Sequence, residues 1–423
     1  MGVDQAGKGQ KRFSGFLGGV FTGVAVSTVL VCLAFLIKTY VLDSSMEVRI
    51  DNQTIIVENS ENTVIDVEFL SKIHTLEELI YDSFYLSEVT KEQLQEGMYD
   101  GMVDALGDIY SCYYTQEEYS AIMEQAEGVY YGIGAYVAMD SVTGYVKISS
   151  VIAGTPAEEA GLMADDLIYK IEGEDMAGLD SDQVVAKVKG EENTFVHLTL
   201  VRDGEEIEVD VERRKIESPT ISYEIYEDGI GYIYISQFDD VTVDQFAEAL
   251  AVLKGNDIEG LIIDVRGNPG GNLFTVVDIA DMLLDEGLIV YTQDNYGNRD
   301  DYSSDSTHKY EDPVVMLING NSASASEVLA GALKDYEAAT LVGTTTFGKG
   351  IVQTLRKLAD GTALKLTTSA YYTPNGNNIH GIGILPDVEV EFDSEGYLAD
   401  GTDNQLEVAK EVLLELIIEA KEE

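Results

Sequence analysis

The chain has 423 residues, 45% hydrophobic and 24% charged, so it is globular and long enough for two to three domains. Its 77 acidic residues stand against 26 basic ones, and the net charge of −51 excludes nucleic acid as a partner, because nothing could neutralise the phosphates. The same charge disfavours broad contact with anionic lipid and serves to solvate the surface.

Residues 1–15 carry Lys8, Lys11 and Arg12 ahead of an uncharged run, Phe16 to Ile37, which reads FLGGVFTGVAVSTVLVCLAFLI. That run is long enough to cross a bilayer as a helix. The preceding positive charges keep the short N-terminus cytoplasmic. The sequence therefore predicts a single-pass cell-membrane protein over 16–37 with everything after Lys38 outside the cytoplasm. A cleaved signal peptide is the weaker alternative, since the apolar core is long and no clear small-x-small cleavage site follows it. Cys32 lies in this run and Cys112 far outside it, so no disulfide framework is available.

Residues 38–71 are polar and strand-like and are expected to form a stalk. Over 72–127 the pattern is helical, with capping-box pairs at Thr75/Glu78, Thr90/Gln93 and Thr115/Glu118. Leu94, Met98, Met102, Val103 and Leu106 recur at helical spacing and are expected to be core.

Over 128–213 the character changes to short strands and turns. YYGIGAYVAM precedes VKISSVIAGTPAEEAGLMADDLIYKIEGED, and a helix is expected near Ser181 to Lys189. HLTLVRD and EIEVDVER flank Asp203-Gly204, a strong hairpin turn. The G-x-P-A-x-x-A-G-L pattern and the following D-x-I-x-x-I-x-G resemble a PDZ domain. The resemblance implies that Gly132, Ile133, Gly134 and Ala135 offer backbone N–H groups to a substrate's C-terminal carboxylate, the peptide adding as a strand. Asp165 stands where such domains usually carry glycine, and aspartate tolerates the positive φ expected there. A PDZ fold that only braces its neighbour is the plainer alternative.

From 214 to 395 strands and helices alternate, as in an α/β core. GLIIDVRGN and PVVMLING read as buried strands, with helices expected at Leu273 to Asp285 and Ser324 to Tyr336. Residues 396–423 form an amphipathic helix whose expected cap is Thr402 with Gln405. The fold class is thus multidomain α+β.

The chemistry concentrates in NGNSASASEVLAGALKD, Asn319 to Asp335. A serine at the start of that helix meets free N–H groups and the positive end of the dipole, which favour a developing oxyanion. Ser322, Ser324 and Ser326 compete for the part, and any of them could instead be a helix cap. A hydroxyl needs a neighbouring base. In GTTTFGKGIVQTL, Lys349 lies between glycines and near Phe347, so desolvation can lower its pKa until the neutral amine accepts a proton. Gln353, four residues on, is expected to share a strand face with Lys349 and orient the amine.

These motifs, together with GMVDALGDIYSCYYT, LIIDVRGNPGG and TPNGNNIHGIGILPDVEV, resemble the C-terminal processing peptidases, tail-specific Ser-Lys proteases with a PDZ domain. The resemblance runs from about Thr75 to Val390. It implies a crotonase-like α/β core, with the middle serine, Ser324, as nucleophile and the lysine 25 positions on, Lys349, as base. It places the oxyanion hole on the backbone N–H groups of Ala325 and Gly270, with Gly271 the near alternative. Asp264 and Arg266 are expected to stabilise that turn. Protein substrates with accessible C-termini are the implied partners, and the end helices allow a homodimer.

Of His74, His197, His308 and His380 none fits a catalytic triad better than the lysine. No histidine and carboxylate cluster has metal-ligand spacing, so neither metal nor cofactor is expected. An inactive PDZ scaffold, or an acyl-CoA enzyme of the crotonase-like superfamily, are the alternative readings. Intact Ser324, Lys349 and Gln353 weigh against the first, and the exported location and PDZ domain against the second.

Overall fold

A computed structural model describes residues 46–50, 53–57, 64–305, 307 and 310–422. The expected membrane helix at 16–37 lies outside the described residues, as does His308. Among the described residues no helix is long and apolar enough to cross a membrane.

The chain divides into two compact units, Met1–Gly97 and Met98–Glu423. In the first, where a stalk was expected, Met46–Ile50 pairs antiparallel with Gln53–Val57. A helix then spans Val67–Ser83, capped by Asp66, whose carboxylate accepts from the Phe69 N–H at 2.7 Å. Thr75 is therefore a mid-helix residue rather than a cap, and its hydroxyl donates back to the Ser71 carbonyl. The Thr90/Gln93 pair does form a reciprocal box.

The helix Lys91–Asp104 buries none of its residues. Met98, Met102 and Leu106, expected in a core, are exposed. Helical spacing sets a common face but cannot say whether another element covers it. Thr115 and Glu118 cap Gln116–Glu127 as a full box, and Gly128 ends that helix at φ 68°.

In the second unit a sheet runs in the order Glu205–Glu212, Phe195–Arg202, Leu167–Ile171, Val146–Val151, Ala135–Met139, with Ala135–Met139 at its edge. The hairpin pairs Arg202 with Glu205 across Asp203 and Gly204, both at positive φ, as a two-residue type I′ turn requires. Asp165 takes φ 69°, the conformation its glycine-like position called for. The helix Ser181–Val188, capped by Asp180, flanks the edge strand.

The larger layer is a sheet ordered Ile221–Ile225, Ile230–Ile235, Gly260–Asp264, Val314–Ile318, Thr340–Gly343, Val388–Glu389. The first pair is antiparallel and the rest parallel. The central strands Gly260–Asp264 and Val314–Ile318 are buried throughout. Their side chains alternate between two cores, as the pleat dictates. Leu261, Ile263, Met316 and Ile318 pack with the helices Thr242–Gly255, Leu273–Asp281 and Ala325–Asp335. Ile262, Val315 and Leu317 pack instead with Ala409, Leu413 and Ile417 of the last helix, Asn404–Glu422. That helix is capped by Asp403, which accepts from the Gln405 and Leu406 N–H groups, not by Thr402.

A second sheet orders Arg299–Ser304, Gly287–Asp294, Ala363–Tyr372 and Ile351–Lys357, with Cys112–Tyr114 paired to the start of Ala363–Tyr372. The loop that holds Lys349 joins Thr340–Gly343 of the parallel sheet to Ile351–Lys357 of this one.

Candidate active site

The strand Val314–Ile318 ends in a turn that delivers three serines to the start of the helix Ala325–Asp335. Ser322 and Ser326 are fully buried. Ser322 donates its hydroxyl to the Val265 carbonyl at 2.8 Å and Ser326 to the Asn268 carbonyl at 3.0 Å. Both hydroxyls are thus spent on backbone. Ser324 alone of the three lines the adjoining cleft, of about 610 Å³. It sits at φ 55°, ψ −112°, a conformation that costs a non-glycine residue on the order of 1–3 kcal/mol and persists only where the surroundings enforce it.

Glu327 enforces it. This carboxylate is fully buried, one turn into the helix. One oxygen accepts from the Ser324 N–H at 2.9 Å and from the Lys349 N–H at 2.8 Å. The other accepts from the Gly348 N–H at 2.7 Å and the Thr346 hydroxyl at 2.6 Å. The backbone nitrogens of Ser324 and Lys349 therefore lie within two hydrogen-bond lengths of each other. The one local signal for Glu327 in the sequence is that S-A-S-E is itself a capping-box spelling, with glutamate three residues after Ser324.

Lys349 is half-buried, and its ammonium lies over the Tyr110 ring, 4.7 Å from the centroid. Burial pushes its pKa below the ordinary value and Lys365 adds to that, while Asp108 and Glu327 oppose it. Asp108 and Tyr110 belong to the GDIYS stretch, which the sequence had marked only by resemblance. Tyr371, nearly buried, donates to the Lys349 carbonyl and reaches the Ser324 side chain. Burial raises its phenol's pKa, so it stays a donor.

Gln353 lines the cleft with Lys349 but its amide meets other partners. The pairing of its strand with Ala363–Tyr372 shifts register between Val352 and Gln353, and this bulge breaks the alternation assumed from Lys349. The Gln353 amide reaches Thr367 Oγ1 at 3.3 Å and the Ile351 carbonyl at 3.5 Å. Among the described residues no hydrogen bond joins it to Lys349, though both line the cleft.

Opposite Ser324 lies the glycine turn. A side chain at Gly270 would meet Ser324 Cβ at 2.8 Å and the Ala325 nitrogen at 2.9 Å, so only glycine allows that approach. The Gly270 N–H, however, donates to Asn268 Oδ1 at 2.8 Å. Gly271 and Ala325 both line the cleft, and Ala325 is the first residue of its helix, where N–H groups have no intrahelical partner. Asp264 and Arg266 brace the turn: the Arg266 guanidinium donates to the buried Asp264 and on to Asp403.

In the smaller domain Gly132 ends the strand Val129–Gly132, paired with Arg214. Ile133 is buried, and Gly134 at φ 85° leaves no room for a Cβ against Thr155. Ala135 opens the free edge strand. All four line a narrow apolar groove with Val184 and Val188 of the flanking helix.

Three family descriptions match the chain: peptidase family S41 over residues 229–390, a PDZ domain over 147–202, and the activating protease CtpB N-terminal domain over 32–118. A carboxyl-terminal-processing protease of Synechocystis sp. is 36% identical over 65% of this chain and 66% of its own length. The carboxy-terminal processing protease CtpB of Bacillus subtilis is 38% identical over 76% of this chain and 68% of its own. A probable CtpA-like serine protease of Staphylococcus aureus is 34% identical over 88% and 72%. The chain thus spans about two thirds of the length of these relatives. It belongs to the C-terminal processing proteases of peptidase family S41, a class of serine-type endopeptidases that carry a PDZ domain.

Proposed function

We propose that the chain is a membrane-anchored endopeptidase of exported proteins, working through a Ser324–Lys349 dyad. The observation that carries this reading is the shared Glu327 oxygen that holds the backbone of Ser324 and Lys349 side by side. Neutral Lys349 takes the Ser324 hydroxyl proton as the oxygen attacks the scissile carbonyl. Negative charge on the carbonyl oxygen falls to the N–H groups of Ala325 and Gly271, with Gly270 shaping the turn rather than donating. The protonated amine then gives its proton to the leaving nitrogen, and water activated by the same lysine resolves the acyl-enzyme.

The PDZ groove takes the substrate's C-terminus as an added strand on Ala135–Met139, its carboxylate on the 132–135 loop. The uncharged run 16–37 supplies the anchor and places this machinery outside the cytoplasm.

The test is cleavage of an unstructured protein with an apolar C-terminus by the full chain, beside Ser324→Ala and Lys349→Arg. Wild type alone is expected to cut, since a guanidinium stays protonated and cannot act as base. Cutting by Ser324→Ala at the wild-type rate would end the assignment.

A further inference from the structure

Four carboxylates are buried among the described residues: Asp166, Asp239, Asp264 and Glu327. Three have evident partners. Asp166 pairs with Arg202, Asp264 with Arg266, and Glu327 takes four hydrogen bonds. Asp239, 6% exposed, has none of comparable strength: the Gln237 side chain is its hydrogen-bonding neighbour, and no basic group of the described residues pairs with it. Burying a carboxylate without a counter-charge is costly and calls for an explanation at the site itself.

Its place supplies one. Phe238 donates its N–H to the Gly270 carbonyl at 3.0 Å and accepts from the Asn272 N–H at 2.7 Å, so the chain at Asp239 runs directly along the glycine turn facing Ser324. Asp239 lines the same cleft as Ser324 and Lys349. Its backbone is fixed on both sides, the N–H donating to Thr242 Oγ1 and the carbonyl accepting from Thr275 Oγ1. Leu273, Phe274, Val328 and Leu355 supply much of the apolar lining of this cleft, beside the polar Gln125, Gln237 and Gln353. A cleft with apolar lining and a carboxylate in its wall suits a long alkyl stem with a cationic head.

We propose that this cleft contains a cation-accepting subsite in which Asp239 pairs with a lysine or arginine side chain of the substrate polypeptide. The proposal rests on the protease reading above and adds a substrate preference to it. Burial, partly offset by Gln237 and reinforced by Asp240, pushes the Asp239 carboxyl up to about 6, so the group is ionised at neutral pH and the subsite fills with charge only there. The elements packed against it contribute uncharged groups: Gly128 at the end of one helix, Thr242 and Thr275 at the starts of two others. Among the described residues Asp240 is the one neighbouring charge that acts on it. The net charge of −51 draws cationic segments toward the molecule in the same sense.

The test is binding of fluorescent peptides to the full chain carrying Ser324→Ala. The peptides are C-terminally amidated so that the PDZ groove does not capture them. A lysine is moved one position at a time along an alanine–valine sequence, each peptide matched by its norleucine isostere. In one register the lysine peptide is expected to bind about tenfold tighter than norleucine at pH 7.5, as one well-placed charge pair gives. The preference should fall to about twofold or less at pH 5. Adding Asp239→Asn should abolish it at both pH values, and Asp239→Glu should keep it. Equal binding of the two peptides in every register at pH 7.5 would overturn the proposal. So would a preference, or a pH dependence of it, that survives Asp239→Asn, since that would assign the effect to Lys349 or another group. Loss of the protease reading shows separately, as absence of Ser324-dependent cleavage by the unmodified chain.

Discussion

At the scale of single residues the catalytic end of the molecule is a set of unequal carboxylates, and their stability signs differ. Asp239 has its folded pKa raised to about 6 from an ordinary 3.8, mainly by burial. A raised folded pKa favours the native state fully below 3.8, and that advantage is lost as pH rises through about 6. Above that pH the ionised group costs the fold on the order of 3 kcal/mol. Asp239→Asn removes the cost, so its melting temperature should exceed wild type at pH 7.5 and match it at pH 4 in parallel thermal melts. A variant less stable than wild type at pH 7.5 would mean the carboxylate is held by a partner in the native state. Stability gained by removing a group from a substrate cleft is the usual mark of a functional residue.

Lys349 carries the opposite logic. Its pKa is lowered first by burial and then by the charge of Lys365. In the proposed dyad cleavage needs the neutral amine, so kcat/KM should rise with pH through the Lys349 titration. Lys365→Met removes a repelling cation, makes protonation of Lys349 easier, and should move that rising limb to higher pH. A pH–rate profile of the two proteins checks it, and a limb displaced to lower pH would contradict the assigned base.

At the scale of elements, the last helix closes one face of the parallel sheet. Leu413 is fully buried against Ile262, Val315 and Leu317, and its methyl would lie 2.9 Å from a Cβ at Gly260. The same helix is tied through Asp403 to Arg266, and so to the turn that faces Ser324. Leu413→Ala should cost about 2–5 kcal/mol by cavity formation, read as a lowered denaturation midpoint. Because the cavity lies on the far face of the sheet, the surviving folded enzyme should keep a near-normal kcat. A stability change under about 0.5 kcal/mol would mean that the helix is not packed as described.

What the sequence made legible follows from local physics. The two buried strands were readable as apolar runs because both faces are covered, and the hairpin at Asp203-Gly204 because only such residues accept two positive φ values in succession. The local pattern left the three serines open, and only the family resemblance, through the 25-position spacing to Lys349, singled out Ser324. Burial of Ser322 and Ser326 against backbone carbonyls separates them, and that depends on tertiary packing. Gln353 and Lys349 do line one cleft, but the bulge before Gln353, which has no reliable spelling, goes with an amide turned to Thr367 and Ile351. Tyr110 and Tyr371 reach Lys349 from distant parts of the chain, and nothing in their local sequence announces it. Thr75 and Thr402 show the converse: a capping-box spelling is weaker than a nearby aspartate, here Asp66 and Asp403, that caps better.

At the scale of the whole molecule, charge is the property that no single contact explains. A chain with 77 acidic and 26 basic residues repels itself in the folded state, and screening relieves that repulsion. At 0.15 M salt the Debye length is about 8 Å, and at 0.01 M about 30 Å, so most of this long-range field is present only at low ionic strength. Two consequences separate cleanly. The melting temperature of the full chain should rise between 0.01 and 0.15 M sodium chloride, because the folded state gains more from screening than the expanded one. Over the same range kcat/KM should fall for a lysine-bearing peptide, as attraction toward the cleft is screened, while a norleucine peptide of equal length should hold steady. If both peptides slowed alike, salt would be acting on the enzyme rather than on the encounter. If neither slowed, the acidic surface would be serving solvation alone, and selection for cations would rest entirely on the short-range pairing at Asp239.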